Sequence, residues 1–99
     1  MSLAPKIVLH TPISSSARLE AFVEECVRDK VVLIAVVGTG CEAVEDLIDE
    51  LIIGDGSNPD RFITTASHPD QALDEVMQFV SSFSTDGGDA DPRVEHVRL

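Results

Sequence analysis

One stretch of the chain has no polar position at all: Val31-Val32-Leu33-Ile34-Ala35-Val36-Val37. A strand with one wet face alternates apolar and polar side chains, so an unbroken run predicts a strand covered on both faces. Five of the seven residues are β-branched, and seven residues are few for a helix. Gly38-Thr39-Gly40 interrupts the run. Beyond it the period turns helical, with Val44, Leu47, Ile48, Leu51 and Ile52 recurring at three- and four-residue spacings. Thr39 and Glu42 have the spacing of a capping box, which predicts a helix start with Cys41 in its first turn.

The same change of period recurs on either side. Lys6 to His10 reads as a short strand closed by Thr11-Pro12. Ser14-Ser15-Ser16 offers N-caps for a helix with the stripe Leu19, Phe22, Val23, Cys26 and Val27, and Asp29-Lys30 turns the chain into the central run. Residues 54–60 are dense in turn formers. Arg61 to Ala66 predicts a third strand, and Ser67-His68-Pro69-Asp70 a helix start. Leu73, Val76, Met77, Val80 and Phe83 form the buried stripe of that helix, widened by Ala72 and Phe79. Residues 84–92 read as a flexible acidic linker, and residues 93–99 as a last edge strand with Val97 and Leu99 inward. The order β-α-β-α-β-α(-β) predicts one α/β domain over residues 1–99. Its architecture is a three-layer α/β/α sandwich with a mostly parallel sheet, flavodoxin-like or Rossmann-like. The expected strand order is 2-1-3, with the fourth strand at an edge.

Charge narrows the partners. Eighteen acidic against seven basic residues give a net charge of −11. Such a chain repels phosphate backbones and anionic lipid, so nucleic acid and membrane are not expected partners. No run approaches the length of about 18 apolar residues that a membrane span needs, and no charged-then-apolar leader stands at the start, so a cytoplasmic location is expected. The two cysteines, Cys26 and Cys41, do not resemble a disulfide framework, and Cys26 falls on a buried helical stripe. The broad apolar coverage of the third helix makes a homodimer contact a further expectation.

In open α/β sheets, ligands gather outside the carboxyl ends of the strands. His10 ends the first predicted strand, Cys41 follows the second by a few residues, and His68 follows the third. Parallel pairing brings all three to one edge. A cysteine in the first turn of a helix gains thiolate stability from the dipole, and an imidazole beside it can act as base, so nucleophilic catalysis is one reading. A transition-metal site with Asp70 as fourth ligand is another, although the spacing matches no known metal motif and no metal or cofactor is assigned. Packing and rim positions for the same residues are the plain alternative. Gly38, Thr39 and Gly40 are candidate ligand-binding residues, because glycines between strand and helix let a ligand approach backbone N–H groups. The turn lacks both the third glycine of a dinucleotide fingerprint and the Gly-Lys-Ser/Thr of a P-loop, and Glu42 and Glu45 repel phosphate there. The acids Glu42, Glu45, Asp46, Asp49 and Glu50 read as the solvated face of the second helix.

The stretch Asp60-Arg61-Phe62-Ile63-Thr64-Thr65-Ala66-Ser67-His68-Pro69-Asp70-Gln71-Ala72-Leu73-Asp74-Glu75-Val76 resembles a segment of a family of short bacterial proteins of unknown function. In that family an Asp-Arg-Phe strand leads to a Thr-Thr-x-x-His turn and a Leu-x-Glu-Val helix. The glycine-plus-cysteine turn after the central run is similar as well, and the resemblance spans roughly residues 30–83. It implies a small α/β domain and no established activity. A non-enzymatic binding or interaction module is the leading expectation. A thiol-dependent or small-ligand enzyme using His10, Cys41 and His68 is the alternative.

Overall fold

The computed structural model describes residues 3–54, 56, 63–69, 71–83 and 93–99. The elements run β1 (Lys6–Thr11), α1 (Ser16–Arg28), β2 (Leu33–Gly38), α2 (Cys41–Ile53), β3 (Thr64–His68), α3 (Leu73–Ser82) and β4 (Val94–Arg98). All strand pairs are parallel, and the order across the sheet is β3-β2-β1-β4. The alternating α/β reading is therefore correct, and β4 does lie at an edge. The 2-1-3 order is not what forms: β3 pairs with β2, and β4 takes the far side of β1. Hydrophobic periodicity assigns strands to a sheet, but it carries no information on which strand pairs along which edge of β1, so it does not choose between these orders.

The alternation of side chains in β1 and β2 divides the core in two. Ile7, Leu9, Ile34 and Val36 face α1 and α2, where Leu19, Phe22, Val23, Cys26, Val44, Ile48 and Ile52 cover them. Val8, Leu33, Ala35 and Val37 face the other way, onto Val76 and Val80 of α3. Two helices thus cover one face and one helix the other. Burying a large aliphatic side chain in such a layer contributes about 1.5–3 kcal/mol. Val97 and Leu99 pack at the margin of the α1/α2 layer, as their inward reading requires.

Chain turns account for the displaced element ends. The backbone N–H of Val31 donates to the Cys26 carbonyl (3.0 Å) and that of Lys30 to Val27 (3.3 Å), with Lys30 left-handed at φ 60°. This closes α1 in a Schellman turn, and Val32 then donates to Pro5, so β2 begins only at Leu33. The N-cap of α1 is Ser15, whose hydroxyl accepts from the Arg18 N–H. The capping box on α2 does not form: the N-cap is Gly40, in the left-handed region, with no side-chain cap. Nor does Ser67 cap α3. Ser67 and His68 pair with Val36 and Val37, extending β3, and α3 starts later at Leu73 with Ala72 as N-cap. As its first residue, Leu73 is 48% exposed rather than buried, and Leu47 on α2 is 43% exposed. Arg61, Phe62, Asp70 and the linker at 84–92 lie outside the described residues.

At the carboxyl ends of β1 and β2 the backbones close up. The Thr11 hydroxyl donates to the Val37 carbonyl (2.9 Å). A Cβ on Gly38, at φ +103°, would lie 2.6 Å from the Thr11 carbonyl oxygen, whereas one on Gly40, at φ +74°, would meet nothing within 4 Å. Gly38→Ala therefore combines strain with a backbone clash and should cost on the order of 3 kcal/mol. Gly40→Ala meets only the left-handed penalty, about 1 kcal/mol. Urea unfolding of both variants checks the difference, and equal losses would refute the close approach.

Candidate functional site

His10 and His68 do reach one carboxyl edge. Each pairs in register with Val37, one from either side of β2, so their backbones stand two strand spacings apart, roughly 10 Å. Both belong to the sheet face that carries α3. Cys41 belongs to the other face: it is 1% exposed and packed in the α1/α2 core. Gly38, Thr39 and Gly40 are exposed between them. The three expected site residues thus share an edge and do not converge on one point.

The two histidines have separate partners. The His68 ring is 9% exposed and stands edge-on to Phe79, with centroids 5.0 Å apart. Its Nδ1 pairs with the Gln71 side-chain oxygen, which assigns the proton to Nδ1, and its Nε2 is buried without a partner among the described residues. Phe79 also stacks on Phe83, so its place at the border of α3 is explained within the chain. Glu45 and Asp49 are not simply solvated: the Thr65 hydroxyl lies 3.2 Å from a Glu45 oxygen and 2.5 Å from an Asp49 oxygen. One hydroxyl hydrogen serves one of these carboxylates at a time. Among the described residues no group of three His, Cys, Asp or Glu side chains could hold a metal.

Among the described residues a chemically rich constellation lies at His10, with partners that sequence reading missed. Because β4 takes the outer side of β1, Arg98 falls opposite His10, and His96 falls one row lower, opposite Val8, on the same face. His10 Nε2 and His96 Nδ1 are 3.0 Å apart, and the rings stack with centroids 5.3 Å apart. His96 and Arg98 are exposed and His10 is half-buried. The Ser14 N–H donates to the Leu99 carbonyl (3.0 Å), tying the end of β4 to the β1–α1 loop. The alternation Val94, His96, Arg98 was visible in the sequence, but no local signal says which strand lies beside it.

Electrostatics at this patch and at Cys26 differ in kind. Partial burial holds His10 below the ordinary histidine value, and the Arg98 guanidinium and the His96 ring add to the effect. Burial pushes the Cys26 thiol up to about 12, helped by Glu25, Asp29 and Glu95, which makes Cys26 the inert core residue its stripe suggests.

Two outcomes follow. With its folded value below 6.5, His10 binds fewer protons in the folded chain than in the unfolded one, so stability rises with pH across that window and falls on acidification below 6.5. His10→Gln should flatten this slope in urea titrations at fixed ionic strength; an unchanged slope counts against it. Cys41 should resist iodoacetamide at neutral pH until denaturant is added, and rapid alkylation of the folded chain would restore the thiol reading.

No curated protein and no solved structure matches the chain. A family model described as a domain of unknown function (DUF7684) matches residues 5–97. That span is nearly the whole sequence, and the chain therefore belongs to the DUF7684 family.

Proposed function

We propose that this chain is a non-enzymatic binding module whose ligand is a small molecule bearing a phosphoryl or sulfonyl group. The site is the patch formed by His10, His96 and Arg98. The observation that carries the reading is the reversal in the sheet. β1, β2 and β3 advance in one direction, and the chain then crosses over α3 to place β4 outside β1. Ligands of doubly wound sheets bind at this reversal, beyond the strand carboxyl ends, and the order 3-2-1-4 is the opening of the Rossmann-like arrangement. Here the reversal gathers two of the chain's three histidines and an arginine.

The class of ligand follows from these groups. Arginine and imidazolium N–H groups suit oxyanions, and their charge-assisted hydrogen bonds contribute about 1.5–3 kcal/mol each. The overall charge of −11 opposes an anion only over distance, because salt screens exposed charges beyond about 8 Å. A whole dinucleotide is not favoured, since residues 11–15 contain no glycine to admit a pyrophosphate to the helix end. Catalysis is not part of the reading. The hydroxyl of Thr11, next after His10, is committed to Val37, and Cys41 is buried on the opposite face. No helix among the described residues is long and apolar enough to cross a membrane. The free state of both cysteines supports a cytoplasmic location within this proposal.

Inorganic sulfate is the probe. In NMR titrations at low salt it should shift the His10 and His96 ring signals saturably, and Arg98→Gln should weaken binding by about tenfold or more. Shifts that spread over the surface without saturating, or an unaltered Arg98→Gln variant, overturn the reading.

A further inference from the structure

We propose that the anion enters this patch together with a proton, which the His10–His96 pair takes from water and returns when the anion leaves. The inference rests on the binding reading above and adds its regulation: occupancy of the site is set by pH.

The geometry supplies the reason. Two neutral imidazoles carry two N–H hydrogens on four ring nitrogens. With His10 Nε2 and His96 Nδ1 facing one another at 3.0 Å, one hydrogen must lie between them, so only one outer nitrogen, His10 Nδ1 or His96 Nε2, is a donor. One added proton changes that without disturbing the contact. The hydrogen between the rings stays, both outer nitrogens become N–H donors, and the pair carries a single positive charge. A second proton does not fit, because it places two N–H groups head to head. By this count of hydrogens, the contact has room for one added proton.

The surroundings make His10 reluctant to take that proton. Arg98 faces it from β4, in register with His10, and Lys6 lies lower on the same face of β1, opposite Val94. β2 contributes only apolar Val37 and Ala35 beside it. Glu95, the nearest acid of β4, lies on the opposite face, where it accepts from the Ala4 N–H. Arg98 and the His96 ring both add to the lowering that burial imposes on His10. An oxyanion bound at Arg98 supplies negative charge and accepts from the new N–H donors. Anion and proton therefore favour each other by reciprocal linkage.

Calorimetric titration of the full chain with sulfate tests this, from about pH 5.5 to about pH 8, in paired buffers of unlike ionisation heat. Sulfate keeps its charge over the whole range, so any proton taken up goes to the protein. Uptake should approach one proton per sulfate near neutral pH and fall towards none on the acid side, while affinity drops by up to about tenfold per pH unit on the alkaline side. The double variant His10→Gln/His96→Gln, which keeps hydrogen-bonding side chains but cannot take a proton, should bind more weakly and show neither uptake nor pH dependence. Saturable binding with no uptake at any pH, or uptake unchanged in the double variant, overturns the proton coupling and leaves the anion site standing. Absence of binding at every pH of the range overturns the site and the coupling together.

Discussion

The structure depends on one constraint: β1 and β2 lie side by side in parallel, buried on both faces. Every residue along them must commit to one helical layer or the other. Ile7, Leu9, Ile34 and Val36 commit to α1 and α2, and Val8, Leu33, Ala35 and Val37 to α3. Such strands leave no room for chemistry along their length, since a polar group there would lie unsatisfied in the core. Reactive side chains are left with the strand ends, where backbone pairing stops. His10, Thr11 and Gly38 sit where this pressure places them.

The outer strands follow a different rule. β4 has a helix layer only at its margins, so it can carry Glu95, His96 and Arg98 among Val94 and Val97. Its register against β1 then decides the chemistry. A shift by one residue would turn His96 and Arg98 to the α1/α2 face and bring Val97 opposite Val8. The burial of Val97 and Leu99 and the tie from Ser14 to Leu99 hold the register that joins the two imidazoles. Apolar packing on one face of the strand thus positions the polar patch on the other.

How much of this was legible in the sequence depends on which physical range decides it. Local patterns marked every element, because unbroken apolar runs and helical stripes are properties of neighbouring residues. Element ends were less legible wherever pairing competed with capping. Ser67 has the chemistry of an N-cap, yet its place opposite Val36 in β3 prevails. Strand order lies beyond local pattern, and with it the neighbours of His10. The edge shared by His10, Cys41 and His68 was visible, but the division of the core into two faces, which separates the sulfur from the rings, emerges only once the alternation of β1 and β2 is set in three dimensions. His96 was passed over because its meaning depends entirely on that order.

The pairing of His10 with His96 joins positions 86 residues apart, nearly the two ends of the chain. Closing so long a loop is entropically unfavourable until the intervening layers exist to hold the ends together. The two rings meet only once β4 has paired with β1. Contact between them therefore reports the docking of a strand far along the chain, and anything that needs both rings depends on that docking.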